Sequence, residues 1–350
     1  MAAAGLLLLL HLLSNSIFLA SGSKDCHADD KTALLAIKAA FSPSYLDMSW
    51  LSDAAPCCDW YGIECEHDID IDRSWGRVTS LAFLRDANLT GAVPGDAIAG
   101  LTHLQELLFF KVPGVSGPIP DSLAKLSGLT SLTISRTGVS GAIPSFVGSF
   151  TKLQELRLSF NSLTGAIPAS LAAPPQLIVI DLSRNRLTGS IPPLLFSKFV
   201  PSTYESGVYL TLSHNNLSGS IPAQFAAVSF LGFDVSRNQL TGDASPVLSG
   251  RGRPVVTVNL ARNRLSFNMS GVEFPDKVND VDLSHNAIYG GIPARVGNLT
   301  DLQQFNVSYN RLCGELPAGL SRFDVYNFQH NKCLCGAPLA AACATASSRH

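Results

Sequence analysis

Leu153-Gln154-Glu155-Leu156-Arg157-Leu158-Ser159-Phe160-Asn161, followed by Leu163-Thr164-Gly165-Ala166-Ile167-Pro168, is the stretch on which the fold turns. Leu156 and Leu158 flank Arg157 with the period of two of a strand buried on one face, so the leucines point inward and Arg157 outward. The six-residue tail recurs as Leu89 to Pro94, Val115 to Pro120, Val139 to Pro144, Leu187 to Pro192 and Leu217 to Pro222, and later copies end at Pro293 and Pro317. Pro120, Pro144, Pro168 and Pro192 stand 24 residues apart. One such unit cannot bury its apolar side alone. Stacked units can, so the fixed period predicts a solenoid of parallel strands.

An asparagine closes each strand: Asn161, Asn185, Asn215, Asn238, Asn263, Asn286 and Asn310. Buried in a turn, its amide must find partners, and the backbone of adjoining coils is the nearest supply. A place held by seven copies is architectural rather than catalytic. Ten units fit between Val78 and Pro317. Two are irregular. The unit ending at Pro222 is stretched to 30 residues by Phe199 to Gly207, which should bulge on the convex or lateral side. The unit around Leu260 and Leu265 lacks the usual tail and runs into Ser266-Phe267-Asn268.

The flanks read differently. Leu6 to Leu19 is an apolar run followed by small residues, which predicts a signal peptide over 1–23. Eight cysteines gather at the ends, Cys26, Cys57, Cys58 and Cys65, then Cys313, Cys333, Cys335 and Cys343. Their spacing lacks the paired CxxC units of a zinc site, and in a secreted chain they predict disulfide-stapled caps over 24–77 and 318–350. Three pairings are open in each group; nearest neighbours in order are the expectation. A net charge of −2 with 15% charged residues gives no footprint for nucleic acid. No second run is long enough to span a membrane. The chain is expected to be secreted, monomeric and free of cofactor and metal.

At this point the residues carry a resemblance. The LxGxIP tail resembles the plant extracellular class of leucine-rich repeat, and Cys57-Cys58-Asp59-Trp60-Tyr61-Gly62 resembles the entry cap of that class. Ten units, the exit cap Asn331 to Gly336, and the irregular stretches Leu240 to Ser245 and through Phe267 resemble the polygalacturonase-inhibiting proteins over residues 24–340. That resemblance implies an α/β right-handed leucine-rich-repeat solenoid with a concave parallel β-sheet and short helices or 3-10 turns on the convex side. It also implies a cell-wall, apoplastic defence protein that binds fungal endopolygalacturonases on its concave sheet, and in some members pectin. The long segment at 197–207 departs from the family pattern.

The outward strand positions form the candidate site: Arg157, Asp181, Arg184, Tyr209, Thr211, His214, Asp234, Arg237, Asn259, Asp282 and His285. Asp181, Asp234 and Asp282 share one position, with basic residues three places on. This is either a solvated face with side-by-side ion pairs or a pattern that steers a partner. Phe110, Phe160 and Tyr209 are candidate anchors, Phe160 equally a core residue. Asp181 and Asp234, two strands apart, have the spacing of an inverting glycosidase pair. They project from an open sheet with no pocket to raise one pKa, so no enzyme is expected. Asp68-Ile69-Asp70-Ile71-Asp72 lacks the glycine and the terminal glutamate of a calcium loop and reads as an acidic surface loop.

Sequons stand at Asn88, Asn216, Asn268, Asn298 and Asn306, and of these only Asn306 belongs to the concave face. A soluble receptor-like module that binds a peptide or an ectodomain in development is the alternative reading. Ice binding would call for regular Thr or Asn rows, which this mixed face does not offer.

Overall fold

The computed structural model describes residues 26–41, 46–50, 55–66, 76–200, 206–250 and 254–343. The expected signal peptide, the acid run at 68–72 and the middle of the long unit, 201–205, lie outside them. One sheet of eleven strands runs the length of the molecule. In chain order these are β1 (Ile63–Cys65), β2 (Val78–Leu84), β3 (Glu106–Phe110), β4 (Ser131–Ser135), β5 (Glu155–Arg157) and β6 (Val179–Asp181). They continue as β7 (Val208–Thr211), β8 (Phe230–Asp234), β9 (Thr257–Asn259), β10 (Asp280–Asp282) and β11 (Gln304–Asn306). β1 pairs antiparallel with β2, and from there each strand lies parallel to the next.

Each strand is short because the chain then bends sharply. The residue before the asparagine place has positive φ in coil after coil: Arg136 at 57°, Phe160 at 56°, Arg184 at 53°, His214 at 57°, Arg237 at 55° and His285 at 57°. A side chain in that conformation costs about 1–2 kcal/mol. The asparagine ladder supplies the offset. Asn185 donates to the Leu158 carbonyl of the preceding coil at 2.8 Å and to its own Leu182 carbonyl at 3.1 Å, while its Oδ1 accepts from Leu163 N–H at 3.0 Å. Asn215, Asn238, Asn263, Asn286 and Asn310 repeat this pattern. Asn331, inside the exit cap, extends the ladder by a further coil: it donates to Val307 O at 3.0 Å and accepts from Leu312 N–H at 3.1 Å.

Inside, the leucines and isoleucines of successive coils form one continuous buried core. The LxGxIP tails pair as a second, five-stranded sheet over Gly91–Ala92, Val115–Gly117, Gly138–Ala142, Ser162–Ala166 and Arg186–Thr188. The segments after the prolines include 3-10 turns such as Asp121–Lys125 and Ser145–Ser149, and after Pro94 a single α-helical turn, Gly95–Ile98. In the long unit, Leu195 and Phe196 are buried beside the turn Ala223–Ala227, and Leu194 is exposed there. Of the extra length itself only Phe199, Val200, Ser206 and Gly207 are described, so the expected bulge lies outside the described residues.

The caps close the open ends of this core. Helix α1 (Ala28–Ala40) buries Leu34 and Ile37, and Trp50 stacks on Trp60 at 5.5 Å. Asp30, fully buried on α1, accepts at Oδ2 from Arg77 Nε at 3.1 Å and Val78 N–H at 2.7 Å, and its Oδ1 forms an ion pair with Arg77 Nη2 at 2.7 Å, which ties the cap to β2. The disulfides are Cys26–Cys57, Cys58–Cys65, Cys313–Cys333 and Cys335–Cys343, the nearest-neighbour pairing.

Candidate protein-binding face

The outer side of the large sheet is a lattice of rows, because parallel register sets equivalent residues side by side. One row runs Glu106, Ser131, Glu155, Val179, Tyr209, Gly232, Thr257 and Asp280. The next, two residues on, runs Thr133, Arg157, Asp181, Thr211, Asp234, Asn259, Asp282 and Asn306. Arg184, His214, Arg237 and His285 form a further row at the bend, on the left-handed residues. The eleven sequence-predicted residues thus lie on one face. Arg157, Asp181, Thr211, Asp234, Asn259, Asp282, His214 and His285 are half-buried there, and Arg184, Tyr209 and Arg237 are exposed.

Side-by-side ion pairs between the aspartates and their basic neighbours, one of the two readings of this column, do not form among the described residues. Asp181 Oδ1 instead accepts from Ser183 N–H at 3.0 Å and Ser183 Oγ–H at 2.7 Å. Asp234 and Asp282 accept from Ser236 N–H and Ser284 N–H, both at 2.9 Å. Asn259 and Asn306 take the same role in their coils at 3.1 Å. A short acceptor at this place captures the backbone N–H two residues on as the strand bends. The column is therefore partly structural. Arg157 pairs with Glu155 at 3.1 Å.

Ser135, Ser159, Ser183, Ser213 and Ser236, which strand alternation would turn outward, are buried at 4–6% exposure. They sit where the strands bend and the coils crowd, and Ser135 Oγ lies 3.3 Å from Ser159 Oγ.

Phe160 is neither a core residue nor an open anchor. It is half-buried at a bend with its ring capped by the guanidiniums of Arg136 at 3.7 Å and Arg184 at 4.9 Å. Tyr309 likewise stacks between His285 at 4.2 Å and His330 at 4.1 Å. The bends therefore carry a ladder of stacked planar groups, a relationship invisible without the left-handed bend. Phe110 is half-buried with the Lys111 ammonium 5.4 Å from its ring centre.

Electrostatics differ along the face. His214 is held below the usual imidazole range, first by desolvation and then by Arg184 and Arg237, with Asp234 opposing. His285 is lowered by desolvation, Arg262, Arg237 and His330, against Asp282. The Nδ1 atoms of both are buried without a hydrogen-bond partner. At the other end, desolvation and then Glu64 and Glu155 push the Glu106 carboxyl up.

Of the sequons, Asn88, Asn216, Asn268 and Asn298 are exposed. Asn306 is half-buried on the large face, and its Oδ1 also accepts from Ser308 Oγ–H at 2.8 Å. Among the described residues no group of acidic, histidine or cysteine side chains is placed to hold a metal, and no helix is long and apolar enough to cross a membrane.

Strands, bends, asparagine ladder and caps together define a leucine-rich-repeat protein. Residues 27–66 match the family model for the leucine rich repeat N-terminal domain, and 152–173, 176–197, 208–227 and 301–323 match the leucine rich repeat itself. Polygalacturonase inhibitor 2 of Arabidopsis thaliana is 49% identical over 94% of this chain and 96% of its own length. The polygalacturonase inhibitor of Pyrus communis is 47% identical over 94% and 96%. The solved structure of a plant ice-binding protein superposes with a TM-score of 0.84 at 41% identity, covering 93% of this chain and 100% of that one. The chain belongs to the polygalacturonase-inhibitor family of leucine-rich-repeat proteins.

Proposed function

We propose that this is a secreted protein of the plant cell wall that inhibits fungal endopolygalacturonases by covering them with its concave face. The observation that carries the reading is the match to named polygalacturonase inhibitors over 94% of the chain. The geometry supports it. Ten parallel strands at ~4.8 Å spacing make an arc of roughly 45 Å, wide enough for an enzyme of about 300 residues, whose radius of gyration is about 20 Å. The face is largely polar and open, which suits a folded protein better than a metabolite. The open face alternates Glu, Tyr, Asp and Arg rather than repeating one residue type, which disfavours the ice lattice that its structural relative is named for.

In this reading the protein is not an enzyme. The Oδ1 atoms of Asp181 and Asp234 are held by backbone N–H groups, and neither residue lies in an enclosed site. Any binding of pectin would use the guanidiniums of Arg184 and Arg237 at the bends. Purified protein mixed with a panel of fungal endopolygalacturonases at acidic pH should suppress the release of reducing ends by at least one of them. No suppression by micromolar protein across the panel would overturn the reading in favour of a receptor-like module for a peptide or ectodomain.

A further inference from the structure

Gly232 stands in the middle of β8, where the repeat has no need of it. Its backbone is outside the left-handed region, so no turn demands a glycine, and a glycine inside a strand weakens it. Its row neighbours are Tyr209 on β7 and Thr257 on β9. A Cβ at Gly232 would stand 2.8 Å from Tyr209 Cδ1, 3.2 Å from Cε1 and 3.3 Å from Thr257 Oγ1. The Tyr209 ring therefore leans across β8 and covers Gly232, which is buried although its row faces outward. Tyr209 as a whole remains 48% exposed. Register between β7 and β8 also slips here: Val208 pairs with Phe230 and Tyr209 with Gly232, leaving Leu231 as an extra residue. Bulges of this kind re-aim a side chain.

We propose that Gly232 is a positioning residue for Tyr209, and that Tyr209, laid across β8 by that gap, is the central anchor that sets which polygalacturonases this face accepts. The proposal rests on the inhibitor reading above. Tyrosine suits the role, since it offers a large contact area while fixing only two side-chain torsions. The place suits it too, being near the middle of an eleven-stranded face, where binding energy concentrates. Thr211 and Asp234 are paired in the adjoining row, two residues on from Tyr209 and Gly232, and supply polar neighbours to a docked side chain. Among the described residues the phenol makes no hydrogen bond, so its hydroxyl is available to a partner.

The test is a double-mutant cycle on inhibition constants against an enzyme that the wild type inhibits. Tyr209→Ala should weaken inhibition at least tenfold, and Tyr209→Phe by much less. Gly232→Thr should displace the ring and weaken inhibition comparably, with Gly232→Ala as the milder second variant should the threonine impair folding. The double variant Tyr209→Ala, Gly232→Thr should be no worse than Tyr209→Ala alone, with thermal midpoints of all variants close to wild type. Additive losses, or Gly232→Thr inhibiting like wild type, would overturn the proposal.

The Tyr209 ring resonances in isotope-labelled protein decide the positioning half independently: they must shift in Gly232→Thr. Failure of the wild type against the whole panel would overturn the inhibitor reading and the anchor role with it. A ring shift in that case would still establish the Gly232–Tyr209 contact.

Discussion

Asp181 accepts a hydrogen bond from the backbone N–H of Ser183 at 3.0 Å, so the acid that looks most like a recognition charge also shapes the bend of its own strand. The two roles can be separated. Asn keeps the acceptor and removes the charge, whereas Ala removes both. Asp181→Asn and Asp234→Asn are expected to leave stability within about 0.5 kcal/mol of wild type, while Asp181→Ala loses roughly 1 kcal/mol. If these charges steer the partner, the Asn variants should slow association and flatten its salt dependence. Equilibrium urea unfolding and stopped-flow association with an inhibited enzyme read the two effects apart.

The asparagine ladder should be far less tolerant. Asn185 is 9% exposed and serves Leu158 O, Leu182 O and Leu163 N–H at once. Asn185→Ala leaves buried backbone groups unpaired on two coils, and each such group costs about 1–3 kcal/mol. A loss of about 2–4 kcal/mol in urea unfolding is expected. Asn185→Asp should also be severe, since the carboxylate cannot donate to the two carbonyls.

Stability should fall as pH drops through the histidine range. His214 and His285 have folded-state pKa values below the unfolded one, so the unfolded chain binds protons first. Their contribution is present above the usual value near 6.5 and is lost as pH falls through the lowered folded value. Glu106 has the opposite sign: its pKa is raised, so its contribution is present below the usual carboxylate value and fades as pH rises through the folded one. Replacing both histidines by glutamine should flatten the fall in thermal midpoint as pH drops below about 6.5, and Glu106→Gln should leave that histidine slope in place.

The entry cap should be held by its long disulfide more than its short one. Cys26–Cys57 closes a sequence separation of 31 residues and Cys58–Cys65 one of 7. The chain-entropy argument gives roughly 3–4 kcal/mol for the longer loop and about 2 kcal/mol for the shorter. Replacing Cys26 and Cys57 together by alanine should therefore lower the thermal midpoint more than replacing Cys58 and Cys65.

Much of this was readable before any coordinates. A 24-residue period and an alternating strand leave a stacked solenoid as the way to bury the leucines, and the order of the cysteines matched the pairing found. The outward positions of the strands were also readable, because parallel register copies them from coil to coil. What escaped was whatever the bend decides. Ser159 and Ser183 look outward by alternation yet are buried, because the chain turns there with positive φ at Phe160 and Arg184. The same bend stacks Phe160 between two arginines that lie 24 residues away on either side. The Asp30–Arg77 pair spans 47 residues and has no local signature. Gly232 has no signature in the sequence that sets it apart, and its meaning appears only with Tyr209 lying over it.

The most direct measurement is inhibition of purified fungal endopolygalacturonases, read as reducing-end release, by wild type and by a variant carrying Asp181→Asn, Tyr209→Ala and Asp234→Asn together on the concave face. Strong inhibition of at least one enzyme by wild type, lost in the triple variant while its thermal midpoint holds, is the predicted result. Inhibition unchanged in the triple variant would contradict binding through this face, and absence of inhibition by wild type would contradict the function itself.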